Sequence, residues 1–319
     1  MSPQGTLRIG TRASALALWQ ARHVESLIRA LPGAPAVELV HIKTEGDLRN
    51  DVPLWAVRGR AFFTKEIDRA LLAGEVDIAV HSLKDLSTVL EPGLALAATL
   101  TREDPRDALV TRAGARLADL PPGARIGTSS LRRRAFIARV RPDVQLLELR
   151  GNVPTRIERL HRGDYDAIVL ATAGLRRLGL DNHIGELLLP DDFPPAVSQG
   201  VVGVCARADD EETLRWLRPL DDSAARLATT AERALLRRIE GGCQVPLGAL
   251  GTYTGGTLHV YAAVCALDGS KMLTARGDTD ASVESAVALG TRVADDLLAQ
   301  GAGELIAQER ESRLPVEEP

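Results

Sequence analysis

The string Arg-Ile-Gly-Thr occurs twice in this chain, at Arg8–Thr11 and Arg125–Thr128, and each copy runs into a serine at a strand-to-helix turn. A second echo follows in the same order, GEVDIAV from Gly74 and GDYDAIV from Gly163. Chance can produce either echo alone. The ordered pair points to two similar α/β units with a cleft between them. The spacings within the two copies differ, so one unit carries an insertion, placed at about Glu45 to Arg60.

The remaining pattern fits that frame. Leu7–Thr11, Val37–Ile42, Asp77–His81, Ile126–Thr128, Val144–Leu147 and Ala167–Leu170 read as strands with helical stretches between them. Ser14 caps a helix running to about Leu31, and Phe63–Ala73 sets Phe63, Ile67, Ala70 and Leu71 on one face. Such alternation predicts parallel sheets covered by helices. The last third differs. Ala224–Ile239 is an amphipathic helix, Gly248–Gly277 alternates in β fashion with turns at Thr254-Gly255-Gly256 and Asp268-Gly269, and Ala281–Gln300 is helical again. The tail SRLPVEEP reads as frayed. At 319 residues the chain is too long for one core. The expected fold is α/β: two domains with parallel-type sheets and a small C-terminal α+β domain. The boundaries are 1–100 with 200–218, then 101–199, then 219–319.

Charge adds a ligand class. The chain has a net charge of −4, yet Arg125–Leu180 holds twelve arginines against five acids. That segment is strongly basic in an otherwise acidic chain, so an anionic ligand is expected to face it. Only four of the 39 basic residues are lysines. Codon bias explains an arginine excess, but arginine is also the side chain that grips carboxylates bidentately. Aromatics make up 3%, too few for the stacking platforms of single-stranded nucleic-acid binders. No stretch approaches the roughly 20 apolar residues of a membrane span, and MSPQGTLRIG has no apolar signal core. A cytoplasmic location is therefore expected. Three scattered cysteines argue against a disulfide framework or zinc site, and six histidines show no ligand spacing, so no metal is expected.

Both Arg-Ile-Gly-Thr turns place hydroxyls and backbone N–H groups at a helix start. The first reads Thr11-Arg12-Ala13-Ser14 and the second Thr128-Ser129-Ser130-Leu131-Arg132-Arg133-Arg134. Plain N-capping accounts for the first. Three consecutive arginines make the second a candidate anion site. Arg150, Arg156, Arg176 and Arg177 follow later strand ends, at the sheet edge where ligands of open α/β folds collect. Lys84-Asp85 leaves a buried strand, as either a strand-end salt bridge or a working carboxylate. Cys243 sits in Glu240-Gly241-Gly242-Cys243-Gln244, where two glycines leave a thiol unshielded. Cys205 and Cys265 read as small buried hydrophobes.

Together LRIGTRAS, ALWQA, HSLKDL, REDPRDALV, IGTSSLRRR, LRGNVPTR, YDAIVLATAGLRRLGL and EGGCQVPLGA closely resemble the porphobilinogen deaminase (hydroxymethylbilane synthase) family over nearly the whole chain. The resemblance implies two periplasmic-binding-protein-like domains and a third that carries a cofactor. A dipyrromethane is joined to Cys243 by a thioether and built from the protein's own substrate. Four porphobilinogens are added in turn with loss of ammonia, and hydrolysis releases the linear tetrapyrrole. Asp85 falls on the family's catalytic aspartate, implied to stabilise the cationic azafulvene. Lys84, Asp47, Thr128, Ser129, Ser130, Arg132, Arg133, Arg156 and Gly242 are implied cofactor contacts. Arg12, Ser14, Gln20, Arg150 and Arg177 are implied contacts of the substrate or lengthening chain. The resemblance also implies a monomer.

The chain departs from the family pattern at Arg58-Gly59-Arg60-Ala61, where Gly-Gly-Lys-Gly is usual, and at Ala56, where a lysine is usual. Ser87 replaces a proline, Cys205 a glutamate, and Ser198 a common glycine. Three other readings stay open: a binding protein that captures an anionic solute without chemistry, a regulator's effector domain, and a homologue of low activity. No helix-turn-helix precedes the α/β region, which weakens the second.

Overall fold

The computed structural model describes residues 5–44, 64–239 and 245–311. Strand β1 (Leu7–Thr11) leads into helix α1 (Ala15–Arg29), capped by Ser14, whose side chain accepts from the Ala17 N–H at 3.4 Å. Gln20, Ala21, Val24 and Ile28 recur at helical spacing and form its buried face. Then come β2 (Val37–His41), α2 (Lys65–Leu72), β3 (Ile78–Ser82) and β4 (Leu94–Thr99). The chain crosses to a second sheet with β5 (Asp107–Thr111), β6 (Arg125–Gly127), α3 (Leu131–Val140), β7 (Gln145–Leu147), α4 (Val153–His161), β8 (Ala167–Ala171), α5 (Thr172–Arg177) and β9 (Ile184–Leu187). It crosses back into β10 (Val202–Arg207) and α6 (Glu211–Leu217). The third unit has α7 (Ser223–Arg238), the antiparallel strands β11 (Leu247–Thr254), β12 (Thr257–Cys265) and β13 (Met272–Asp280), then α8 (Val283–Ala299) and α9 (Ala302–Glu311).

The two five-stranded sheets have equivalent orders, β2-β1-β3-β10-β4 and β7-β6-β8-β5-β9. The repeat seen in the sequence extends to individual hydrogen bonds. Arg8 donates its backbone N–H and Nε to Asp77 and its Nη2 to the Gly74 carbonyl. Arg125 makes the same three contacts to Asp166 and Gly163.

The sheets are mixed, where alternation alone predicts parallel ones. β1 runs parallel to β2 and β3, and β6 to β7 and β8. β10 is antiparallel to both β3 and β4, and β5 to both β8 and β9. The reason is how each odd strand arrives. β5 and β10 enter from the other lobe, at the edge where β3 and β8 end, so they run opposite to them.

Each lobe buries its own core. Ile9, Ile78 and Val204 meet Val24 and Ile28 in the first, and Leu109, Ile126 and Val169 meet Phe136 and Ile137 in the second. The third packs Leu258 and Val260 against Leu235, Leu289 and Val293. The three units join at the fully buried Glu232 of α7. Its carboxylate accepts from Arg102 Nη1 (2.5 Å) in one crossing, Ser198 N (2.5 Å) in the other, and Gly251 N (2.7 Å) on β11. The second crossing also needs Gly200, whose φ is +93° and whose absent Cβ would lie 2.3 Å from the Glu103 carbonyl.

Candidate active site

Strands β1, β3, β6 and β8 end at the cleft between the lobes. After β3, Leu83–Asp85 form one 3₁₀ turn. Leu83 and Leu86 are buried on either side of Lys84 and Asp85. Lys84 lines the cleft, and the Asp85 charge acts on Lys84 and Arg156 there. Asp85 is exposed, and among the described residues no side chain closes a hydrogen bond or ion pair on it. Lys84 Nζ donates to Gln199 Oε1 at 3.2 Å. Burial lowers the Lys84 ammonium to about 8, with Asp85 opposing that fall and Arg133 adding to it. Gln20 Nε2 donates to Ser82 Oγ at 2.8 Å and so anchors the end of β3.

The second lobe supplies the opposite wall. Ser130 caps α3 through the Arg133 N–H at 3.4 Å, and Thr128 Oγ1 accepts from Ser130 N at 3.2 Å. Ser129 Oγ donates to the Leu149 carbonyl at 2.5 Å. Arg156 Nε donates to the Gly151 carbonyl at 2.8 Å. Burial lowers its pKa to about 10, helped by the like charges of Arg133 and Arg150. Arg177 Nη2 donates to the Gly200 carbonyl at 2.6 Å, and its guanidinium carbon lies 5.6 Å from the Trp19 ring centre. Burial lowers it also to about 10.

The structure therefore brings Lys84, Arg133, Arg156, Arg177, Ser82 and Gln199 to one cleft, with a cavity of about 90 Å³. It does not place Arg132 there. Arg132 is buried, donates to the Pro194 carbonyl at 2.8 Å, and lies 5.8 Å from the Phe193 ring centre. Ser14, Thr128 and Ser130 accept from backbone N–H groups and keep an O–H to donate, Ser129 donates to a backbone carbonyl, and Arg12 and Arg150 are part-exposed nearby. Asp47, Gly242, Cys243 and the Arg58–Ala61 loop lie outside the described residues. Cys205 and Cys265 are buried free thiols, and burial raises Cys205 to about 12, so it is an inert hydrophobe.

The basic segment is less free than its linear count implies. Arg125 pairs with Asp166, Arg141 with Asp143, and Arg159 and Arg162 with Asp164. Acids from outside the segment take others: Arg176 pairs with Glu103, and Arg132 and Arg133 with Asp107. Burial alone would raise Asp107, but Arg132 and Arg133 outweigh it and hold the carboxyl well below the usual range. Asp107 also accepts from Gln199 Nε2 at 3.0 Å.

Sequence reasoning missed Asp107, Gln199 and Arg233. Arg233 on α7 donates to the carbonyls of Leu86 (3.2 Å) and Ser87 (2.5 Å), directly after Asp85, and Arg237 donates to Thr88 (2.5 Å). The third unit thus braces the turn that presents the carboxylate.

Two α/β lobes around a cleft lined by Lys84, Arg133, Arg156 and Arg177, with the exposed Asp85 carboxylate beside it, define a two-lobed protein whose cleft suits an anionic ligand. Residues 7–215 match the family model described as porphobilinogen deaminase, dipyromethane cofactor binding domain, and residues 226–299 match the porphobilinogen deaminase C-terminal domain. The chain is similar to the porphobilinogen deaminase of Roseiflexus sp. (strain RS-1), 53% identical over 95% of this chain and 99% of that one. It is 48% identical to that of Syntrophotalea carbinolica, over 94% and 95% of the two chains. Among solved structures it is similar to the periplasmic VFT2 domain of Bordetella pertussis BvgS, with 16% identity and a TM-score of 0.39, over 67% of this chain and 85% of that one. The chain belongs to the porphobilinogen deaminase family, a family of transferases with a dipyrromethane-binding domain.

Proposed function

We propose that this chain is a working hydroxymethylbilane synthase that condenses four porphobilinogens head to tail, with loss of ammonia, on a dipyrromethane held by Cys243. The observation that carries this reading is Asp85, an exposed carboxylate beside a cationic cleft that meets no side-chain partner among the described residues. Positive charge develops on the substrate as ammonia departs, and a fixed anion beside it lowers that barrier. Lys84 and Asp85 share one turn, so an acid side chain of the substrate and its developing cation meet opposite charges together.

The residues present suit the cofactor. Its acetates and propionates match Lys84, Arg133 and Arg156, and its pyrrole N–H groups match Asp85. Bound there, it would supply the free pyrrole carbon to which the first porphobilinogen is joined, each later one joining the ring added before it. Asp47, Thr128, Ser129, Ser130 and Gly242 complete the proposed cofactor set. Arg132 acts from behind, by holding Asp107. Arg12, Ser14, Gln20, Arg150 and Arg177 serve the incoming substrate and the extending chain. We assign the protein to the cytoplasm as a monomer and divide it into domains of 1–100 with 200–218, 101–199 and 219–319. No helix among the described residues is long and apolar enough to cross a membrane.

Intact-mass analysis of protein made in cells tests the reading. The expected adduct is two porphobilinogens less two ammonias, absent from Cys243→Ala. An unmodified wild-type mass would remove it and leave the solute-binding reading.

A further inference from the structure

The cleft cavity, at about 90 Å³, is far below the roughly 300 Å³ floor of ordinary small-molecule pockets. A second pocket of about 390 Å³ lies against its outer side. Arg177 lines both, so one residue is shared between them. The outer pocket joins the lobes: Trp19, Arg22 and His23 come from α1, while Arg177 and Leu178 come from α5 and its end. Trp19 and His23 stack with centroids 5.0 Å apart and 24° between planes. Arg22 is exposed, and nothing in the reading above employs it.

Resting on the synthase reading, we propose that this outer pocket receives an already condensed ring of the lengthening polypyrrole once the inner cleft is filled. Each ring offers an aromatic plane and two carboxylates. The pocket is lined by Trp19 and Leu178 and by two arginines, the exposed Arg22 and the shared Arg177. Arg177 can hand a carboxylate from one side of its fork to the other. A chain that gains a ring at each addition needs such an overflow, and among the described residues this pocket adjoins the cleft.

Holoenzyme given limiting porphobilinogen and quenched over time tests this, with intact mass resolving species that carry one to four added rings. In Arg22→Glu the first two additions should run at wild-type rates. Later ones should slow about fivefold, the upper weight of one exposed charged contact, and the longest species should accumulate. Arg22→Lys should restore most of the rate. A second readout is the part of tryptophan emission lost in Trp19→Phe, which should change only as the longer species appear. Slowing of the first addition to the same degree, unchanged kinetics throughout, or an emission change with the first ring would each overturn the overflow role. Those outcomes leave the synthase reading intact. Wild-type protein that shows neither adduct nor added rings would remove that reading, and the pocket's role with it.

Discussion

Arg133 grips one oxygen of Asp107 with two guanidinium hydrogen bonds, Nε at 3.1 Å and Nη2 at 2.7 Å, and both side chains are buried. Arg132 meets the other oxygen at 2.7 Å. Removing one partner of such a buried cluster strands the other charges, at a cost of about 3–5 kcal/mol. Asp107→Asn should therefore lose stability on that scale at pH 7. The pH dependence has a definite sign. The folded carboxyl is depressed, so its stabilisation is complete above the unfolded value of about 3.9 and fades as pH falls below it. Urea unfolding should show the gap between wild type and Asp107→Asn narrowing below about pH 4. A gap independent of pH would show that Asp107 is not ionised in the fold.

Asp107 also shows where sequence reading stops. The two α/β units were legible because their signals are local: a strand, a turn and a capped helix repeat within a few tens of residues, down to Arg8–Asp77 and Arg125–Asp166. Lys84, Arg133 and Arg156 could be placed because each lies near a strand or helix end that lines the cleft, while Asp85 took its role from the family resemblance. Charge compensation was not legible. Asp107 lies outside the basic segment, and only β5 docking beside β8 carries it to Arg133. Glu232 and Arg233 had the same weakness. In a helical pattern they look like two solvated charges, and only tertiary packing sends one to the lobe crossings and the other to the Asp85 turn.

That bracing makes Arg233 a positioning residue. A charged donor to buried carbonyls contributes about 1.5–3 kcal/mol. Arg233→Met should free the Leu86–Ser87 carbonyls and loosen the turn before them. The expected effect is a kcat lowered about tenfold with KM nearly unchanged, because the cleft arginines remain in place. Arg233→Lys should recover little, since one ammonium cannot span both carbonyls. A rise in KM alone would assign Arg233 to substrate binding instead.

His81 and Asp68 form a second buried pair, Nε2 to Oδ1 at 4.0 Å, beneath the same strand end. Burial lowers His81 to about 4, with Arg12 adding to the fall, and burial raises Asp68 to about 6. Their pH effects oppose. His81 costs stability as pH falls from its unfolded value of about 6.5 toward 4, because the unfolded chain takes up the proton first. Asp68 contributes stability below its unfolded value, and that contribution is lost as pH rises through 6. Wild-type stability should be nearly flat across this window. Asp68→Asn should fall by about 2 kcal/mol on acidification from pH 6.5 to 4, and His81→Gln should rise as pH drops from 6 to 4. Denaturant midpoints at half-unit pH steps check both signs, and parallel slopes in the two variants would sink the assignment.

Ser198 has a φ of +63°, a left-handed conformation that costs a non-glycine residue about 1 kcal/mol or more. Among the described residues its buried Oγ finds no hydrogen-bond partner, which adds to the cost. The conformation persists because it delivers the Ser198 N–H to Glu232 at 2.5 Å and leads into Gln199, which reaches Lys84 and Asp107. Those contacts use the backbone and the next side chain, so a glycine keeps them all. Ser198→Gly should raise stability by about 0.5–1 kcal/mol after the extra freedom of unfolded glycine is charged against it. Turnover should be unchanged. Gly200→Ala runs the other way, since its Cβ would strike the Glu103 carbonyl, and should lose more than about 2 kcal/mol. Urea midpoints at constant m-value measure both. A destabilised Ser198→Gly would mean that the hydroxyl holds a contact worth more than the strain it sits in.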